Sequence, residues 1–308
     1  MGILVIGATF VDIKGFPFDN YLPTGRNAGR VEYVHGGVAR NVVEDIANIE
    51  LRPTFLSIVD DSPMGDAVVK KLRNHKVNTD YLLTRPDGMG TWLAVFDNNG
   101  DVAGSISKRP NMYPIAELLE EKGDEIFSQV PSVVLEIGLD KEIVKGTLAL
   151  ARKHNVKTFA LVANMSIAAE RRDLLQQFDC VICNQQEAGI LFLDDYEDKS
   201  PEEMRDILAE RIVAANIPSM VVTMGAEGAV YANLQGEKGI CPARKVQVKD
   251  TTGAGDSFCA GVAIGMTYGK TMAEAVEIGT TLAASVITSS ENVCPRFRPE
   301  EFGIHIEI

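Results

Sequence analysis

Between Asp250 and Asp256 the chain reads Asp-Thr-Thr-Gly-Ala-Gly-Asp, and Ser257 then leads into an apolar, Ala- and Gly-rich segment from Phe258 to Met266. That pattern predicts a buried helix whose first turn, Gly253-Ala254-Gly255, is nearly bare backbone. Unpaired N–H groups at a helix N-terminus, with the positive end of the helix dipole behind them, form an anion site, and a phosphate is the usual guest. Asp256 then lies beside the bound anion. A carboxylate next to a phosphate is electrostatically costly unless it takes a proton from the incoming nucleophile, so the arrangement points to phosphoryl transfer to an alcohol, with Asp256 as general base. A glycine-rich helix entry can also serve close packing alone, but packing needs neither the paired threonines before the glycines nor the carboxylate after them.

Other stretches carry weaker signals. A dinucleotide fingerprint places three glycines after the first strand, whereas Gly7-Ala8-Thr9-Phe10-Val11-Asp12 has one, which disfavours a nicotinamide-dependent oxidoreductase. The nearest approach to a Walker A loop, Gly265 to Thr271, is one residue short and follows a helix pattern. Asn184 and Glu187 stand at the N-cap and N3 positions of a helix expected over Gln185–Leu193, where they can cap it and also face a metal. Cys180 and Cys183 form a C-x-x-C inside an expected buried strand, and no second pair completes a metal site, so reduced structural thiols are expected. Lys108-Arg109 could meet a substrate phosphate or form a solvated basic turn.

The elements that must position these residues follow from periodicity. Ile3–Ile6 suits a buried first strand. From about Val130, apolar strands at Val133–Glu136, Thr158–Val162, Val181–Cys183 and Met220–Thr223 alternate with amphipathic helices at Lys141–Lys153, Glu170–Phe178 and Pro201–Asn216. This predicts an α/β domain with a doubly wound, mostly parallel sheet flanked by helices. Ser62-Pro63 opens a further helix, to about Arg73. Two stretches break the rhythm: residues 13–33, rich in Gly, Pro, Asn and Arg, and a hairpin around Asn98-Asn99-Gly100. The expected division is a core of 1–12, 34–88 and 113–308, with 13–33 and 89–112 forming a small antiparallel β lid over the carboxyl ends of the parallel strands. An exposed lid edge is a pairing surface, so a homodimer through it is expected.

The 308 residues carry a net charge of −13, with 45% hydrophobic and 24% charged residues. Sequence-independent nucleic-acid binding needs a basic field and is not expected. No apolar run reaches the roughly 18 residues of a membrane span, and the opening residues lack the basic n-region of a signal peptide. A cytoplasmic protein acting on a small molecule is expected.

Four ordered motifs resemble the ribokinase-like (PfkB) carbohydrate and nucleoside kinase family: His35-Gly36-Gly37-Val38-Ala39-Arg40-Asn41, Asn184-Gln185-Gln186-Glu187, Val222 to Ala229, and residues 250–258. The resemblance implies ATP and Mg²⁺ as cofactors, Asp256 as base, and the N–H groups of Gly253, Ala254 and Gly255 as a cradle for the transferring phosphoryl. It implies Asp12, Gly36, Gly37 and Asn41 as contacts to the acceptor's hydroxyls, and Glu136 as a polar group on the substrate or lid side. Asn184, Thr223, Gly225 and Gly228 would line the nucleotide site, and Glu187 would organise Mg²⁺ through water. Asp250 and Thr252 match positions that hold a monovalent cation, K⁺, in some relatives. Gly-Gly-Val-Ala-Arg-Asn, Val162 to Ser166 and Ser290 to Pro295 look most like the pseudouridine-kinase branch, so a primary hydroxyl of a ribosyl nucleoside or a free sugar is the expected acceptor. A sugar-phosphate kinase, and a non-catalytic sensor with the same fold, are the alternatives.

Overall fold

The computed structural model describes residues 2–162, 169–170 and 172–305. In chain order the strands and helices are β1 (Leu4–Ile6), β2 (Phe10–Pro17), β3 (Gly29–Gly36), α1 (Val38–Asn48), β4 (Thr54–Val59), α2 (Pro63–Asn74), β5 (Leu82–Thr84), β6 (Gly90–Phe96), β7 (Val102–Lys108), α3 (Tyr113–Phe127) and β8 (Ser132–Glu136). There follow α4 (Lys141–His154), β9 (Lys157–Leu161), α5 (Arg172–Leu175), β10 (Cys180–Asn184), α6 (Gln185–Phe192), α7 (Pro201–Ala215), β11 (Ser219–Thr223), β12 (Ala229–Asn233), β13 (Lys238–Cys241), α8 (Ala254–Thr267) and α9 (Met272–Ile287). The segment 163–168 falls outside the described residues.

The large sheet runs β13-β12-β11-β10-β9-β8-β1-β4-β5, parallel from β11 to β5 and antiparallel at β12 and β13. Alternate residues of each strand serve opposite faces. Leu4, Ile6, Leu56 and Ile58 pack with Leu118 of α3, Ile143 of α4 and Met204 of α7. Ile3, Val5, Phe55 and Val59 pack with Val42 of α1, Leu72 of α2, Ile264 of α8 and Val276 of α9. Helices therefore cover both faces, which is the doubly wound α/β architecture expected. The expected cap at Ser62 forms, accepting from Gly65 N, and Ser200 and Thr271 each form a reciprocal capping box with the Glu three residues on.

The second sheet, β3-β2-β6-β7, consists of two antiparallel hairpins joined by a parallel pairing of β2 with β6. Its strands run past 13 and 33, so that Asp12 and Gly36 belong to it. β2 follows β1 after a few residues and β3 leads directly into α1, so the small sheet is tethered at the carboxyl end of β1, the third strand from the β5 edge of the large sheet.

Candidate active site

The chain leaves β1 toward β4 on one side, and β8 lies on its other side, so the strand order reverses at β1. A crevice opens at such a point because neighbouring connections depart to opposite faces. Glu136, the last residue of β8, lies in it: its Oε2 accepts the Ala8 N–H at 2.9 Å. A Cβ on Gly7 would come within 2.7 Å of the same oxygen, so only glycine admits the carboxylate there.

Asp256 enters from α8, whose N-cap Gly253 has φ 82°. A Cβ at Gly253 would lie 2.1 Å from the Asn292 carbonyl oxygen, so both the dihedral and the space require glycine. Beyond the cap the backbone is open, since a Cβ on Gly255 would meet nothing within 4 Å. Ala254 N–H donates to the Thr251 carbonyl at 3.2 Å, whereas among the described residues the amides of Gly253 and Gly255 have no backbone acceptor. Two of the three expected cradle amides are thus free to face an anion, and the third is already engaged in the turn.

Asn41 Nδ2 donates to Asp256 Oδ2 at 2.6 Å. Burial raises the Asp256 carboxyl to about 6, against the lowering pull of the Asn41 hydrogen bond and the Arg40 charge and with a further rise from Asp12. Burial likewise takes Glu136 up to about 7, opposed by the Ala8 N–H, reinforced by Asp256 and opposed again by Arg109. Asp12 is also raised by burial, with Lys14 and Arg40 opposing. A carboxylate that ionises near neutrality can both accept a proton and hold it only briefly, which suits a general base.

Asp12, Gly37, Asn41, Glu136, Thr252 and Asp256 line one cavity of about 650 Å³. Phe10, Trp92 and Met112 supply its apolar wall, and the exposed Arg109 and Asp140 stand at its margin. Gly36 lies beneath it, where a Cβ would meet Asp12 Oδ1 at 2.4 Å.

A second cavity, of about 860 Å³, is lined by Asn184, Gln185, Ile190, Tyr196, Thr223 and Gly225, among others. Here polar groups are satisfied locally. Glu187 N–H donates to Asn184 Oδ1 at 2.7 Å and Asn184 N–H to Glu187 Oε2 at 2.8 Å, a complete capping box at the start of α6. Burial raises the Glu187 carboxyl despite that bond. Gly225 has open space where a side chain would be, while a Cβ on Gly228 would lie 2.1 Å from the Cys241 carbonyl oxygen. Gly228 therefore serves the turn into β12, with φ 101°. Asp250 Oδ1 accepts Thr252 N–H at 2.8 Å, closing the loop that enters α8.

Sequence reasoning gave no role to a group of buried polar residues on α1 and the loop after α9. Asp45, wholly buried, accepts Cys294 N–H at 2.6 Å and the Ser257 hydroxyl at 2.8 Å. Asn48 Nδ2 donates to the Cys294 carbonyl at 2.7 Å, Asn292 Nδ2 to the His35 carbonyl at 3.0 Å, and Phe297 N–H to the Asn48 carbonyl at 2.9 Å. This strap presses Asn292 against Gly253 and fixes the end of α8 that carries Asp256. The available signal was the spacing of Arg40, Glu44, Asp45 and Asn48 at helical intervals beside Asn41.

Residues 2–294 match the pfkB family of carbohydrate kinases. The chain is 35% identical over 294 residues to the guanosine-inosine kinase of Exiguobacterium acetylicum, covering 94% of this chain and 95% of that one. It is 26% identical over 279 residues to the pseudouridine kinase of Escherichia coli K12, covering 89% and 86%. The ribokinase of Arabidopsis thaliana complexed with ribose and ATP superposes with a TM-score of 0.86 over 97% of each chain at 19% identity, a likeness of fold.

Proposed function

The chain belongs to the pfkB family of carbohydrate kinases and is a kinase of small-molecule sugars or nucleosides, and from that premise we propose that its acceptor is the primary hydroxyl of a ribonucleoside. A 6-oxopurine nucleoside, as in the guanosine-inosine kinase relative, is the first choice, and pseudouridine the second. The observation that carries this reading is the cavity joining Asp12, Asn41 and Asp256 to an apolar wall of Phe10, Trp92 and Met112. A free pentose would use the carboxylates and amide but leave the aromatic wall bare; a nucleoside uses both. At the margin, Arg109 offers donors and Asp140 an acceptor, which matches a ring carbonyl next to a ring N–H, a pattern shared by 6-oxopurines and uracil.

Asp12 accepts hydrogen bonds from vicinal ribose hydroxyls, and Gly36 and Gly37 let backbone approach the sugar. Asp256 takes the proton of the attacking hydroxyl. Gly253 and Gly255 N–H groups, with Ala254 once its turn bond is exchanged, stabilise charge on the transferring group. The free amides and open space at Gly255 fit a phosphate, and Asn184, Thr223 and Gly225 fit the flank of a nucleotide. Glu187 keeps one carboxylate oxygen outside its capping bond and fits water-mediated metal binding. Mg·ATP, when bound, supplies the phosphoryl group. Asp250 and Thr252 are the candidate contacts of a monovalent cation.

The test is a panel of guanosine, inosine, pseudouridine, adenosine, ribose and fructose with Mg·ATP, read as ADP release. Expected is a kcat/KM for one nucleoside at least about a hundredfold above that for ribose; a ribose or fructose value equal to or above every nucleoside's overturns the reading.

A homodimer through the small sheet is the assembly we propose. Its face away from the cavity carries a row, Tyr33-Ile13-Leu93-Ile106, aligned by strand register, with Tyr33 62% and Ile106 71% exposed. Ile106→Lys is expected to shift a dimer to monomer in sedimentation velocity, and a monomeric parent would refute the assembly.

A further inference from the structure

Arg40 is 1% exposed and belongs to the first turn of α1, next to Asn41. Its guanidinium donates to the carbonyl oxygens of His35 and Gly36, to Glu44, and to Asn41 Oδ1. Glu44, also fully buried, is held in turn by Lys71 Nζ at 2.8 Å. Burial would raise the Glu44 carboxyl, but Arg40 and Lys71 more than offset it, so Glu44 remains a charged anchor for the guanidinium.

The Asn41 carboxamide is therefore caught between a group that only donates and a group that only accepts. Guanidinium has five N–H donors and no acceptor, and an ionised carboxylate has no donor. An amide's two ends are nearly equal in shape, so its orientation is decided by its neighbours. With Oδ1 toward Arg40 and Nδ2 toward Asp256, both contacts are hydrogen bonds; turned over, both become repulsions. We propose that Arg40 is a positioning residue that fixes the Asn41 carboxamide and through it aims the Asp256 carboxylate, occupying Oδ2 and leaving Oδ1 for the acceptor hydroxyl. The proposal rests on the assignment of Asp256 as base for its catalytic meaning, and on the hydrogen-bond geometry alone for its structural content.

The test reads Asp256 directly. Charged and titratable groups facing it are Asp12 from the small sheet, Arg40 and Asp45 from α1, Glu136 from β8 and Cys259 from α8 itself. In protein labelled with ¹³C at aspartate carboxyls, the Asp256 resonance is assigned by its loss in Asp256→Asn and followed with pH in the parent, Arg40→Met, Asn41→Ala and the double variant. Arg40→Met is expected to raise the midpoint by about one unit, and its effect in the Asn41→Ala background to fall below half of that, because the part relayed by the amide is gone. Should Arg40→Met unfold, Arg40→Met with Glu44→Gln removes both buried charges together and gives the same comparison. An unmoved midpoint, or equal shifts in both backgrounds, overturns the proposal. Kinetics separate the two assignments: Asp256→Asn turning over inosine at the parental rate would remove the base, while the titrations still decide the role of Arg40.

Discussion

In the proposed acceptor half of the cleft, Asp12, Asn41, Glu136 and Asp256 come from distant parts of the chain and meet as half-buried or buried groups, Asp256 being perturbed by Asp12, perturbing Glu136 and accepting from Asn41. In the proposed nucleotide half, Asn184 and Glu187 stand three residues apart and satisfy each other at a helix start, beside an open glycine. The first arrangement exists only in the folded whole; the second is nearly complete in one local turn. Preorganised dipoles and carboxylates in a water-poor site act most strongly on the reacting atoms, whereas a surface-facing metal and nucleotide site must admit and release its ligand on each turnover.

The largest test of that contrast is Asp256→Asn. It keeps the shape and the bond from Asn41 but removes the proposed base, and kcat is expected to fall roughly a thousandfold with acceptor KM nearly unchanged. In the parent, kcat/KM is expected to rise with pH through an acidic limb near the value of about 6 to which burial raises Asp256. A flat profile from pH 5 to 8 would contradict it. Glu187→Gln is expected to act more weakly, with the Mg²⁺ requirement rising about tenfold and acceptor KM unmoved. Glutamine also serves a capping box, so thermal stability should stay within about 0.5 kcal/mol of the parent. A change in acceptor KM as large as the change in Mg²⁺ requirement would erase the distinction between the halves.

The smallest expected effect lies behind the acceptor half. Burial raises Asp45 to about 8, above its unfolded value near ~3.9. The folded state therefore binds this proton more tightly, so the contribution is fully present below the unfolded value and is lost as pH rises toward 8. Asp45→Asn removes the titration while keeping an acceptor for Cys294 N–H. Its melting temperature should fall less than the parent's between pH 5 and 8, by on the order of a few degrees; identical slopes would show that Asp45 is not a buried acid.

The same contrast governs what was legible in the sequence. Asn184 and Glu187 could be read as cap and N3 because their partners are each other, and the strands β8 to β11 emerged within a residue or two because apolar alternation with helices is a local pattern. The helix α1 was not identified, although its motif was. Every residue from Ala39 to Asn48 is buried, including Arg40, Asn41, Glu44, Asp45 and Asn48. Periodicity assumes that polar residues face water, and here they face one another. The helix α9 and the hairpin β12–β13 were also missed. Apolar and small residues surround most of α9 because it packs on α8 as closely as Gly261 on Gly279 allows, which leaves little polar stripe to read.

The strap from Asn292 to Phe297 sets an order of events for the growing polypeptide. Its bonds to His35, Asp45 and Asn48 join residues 246 to 257 positions apart, contacts of very long range for a chain of 308 residues. Emerging from the ribosome, the amino-terminal half can collapse around β1 and α1, yet it meets Asp45 with neither Ser257 nor Cys294 available, and domains acquire their final packing only when the last partners arrive. The helix end that carries Asp256 therefore receives its seat near the end of synthesis, so under the proposed assignment of Asp256 as base a chain cut short of the strap keeps Asp12 and Asn41 but lacks the support that holds the base in place.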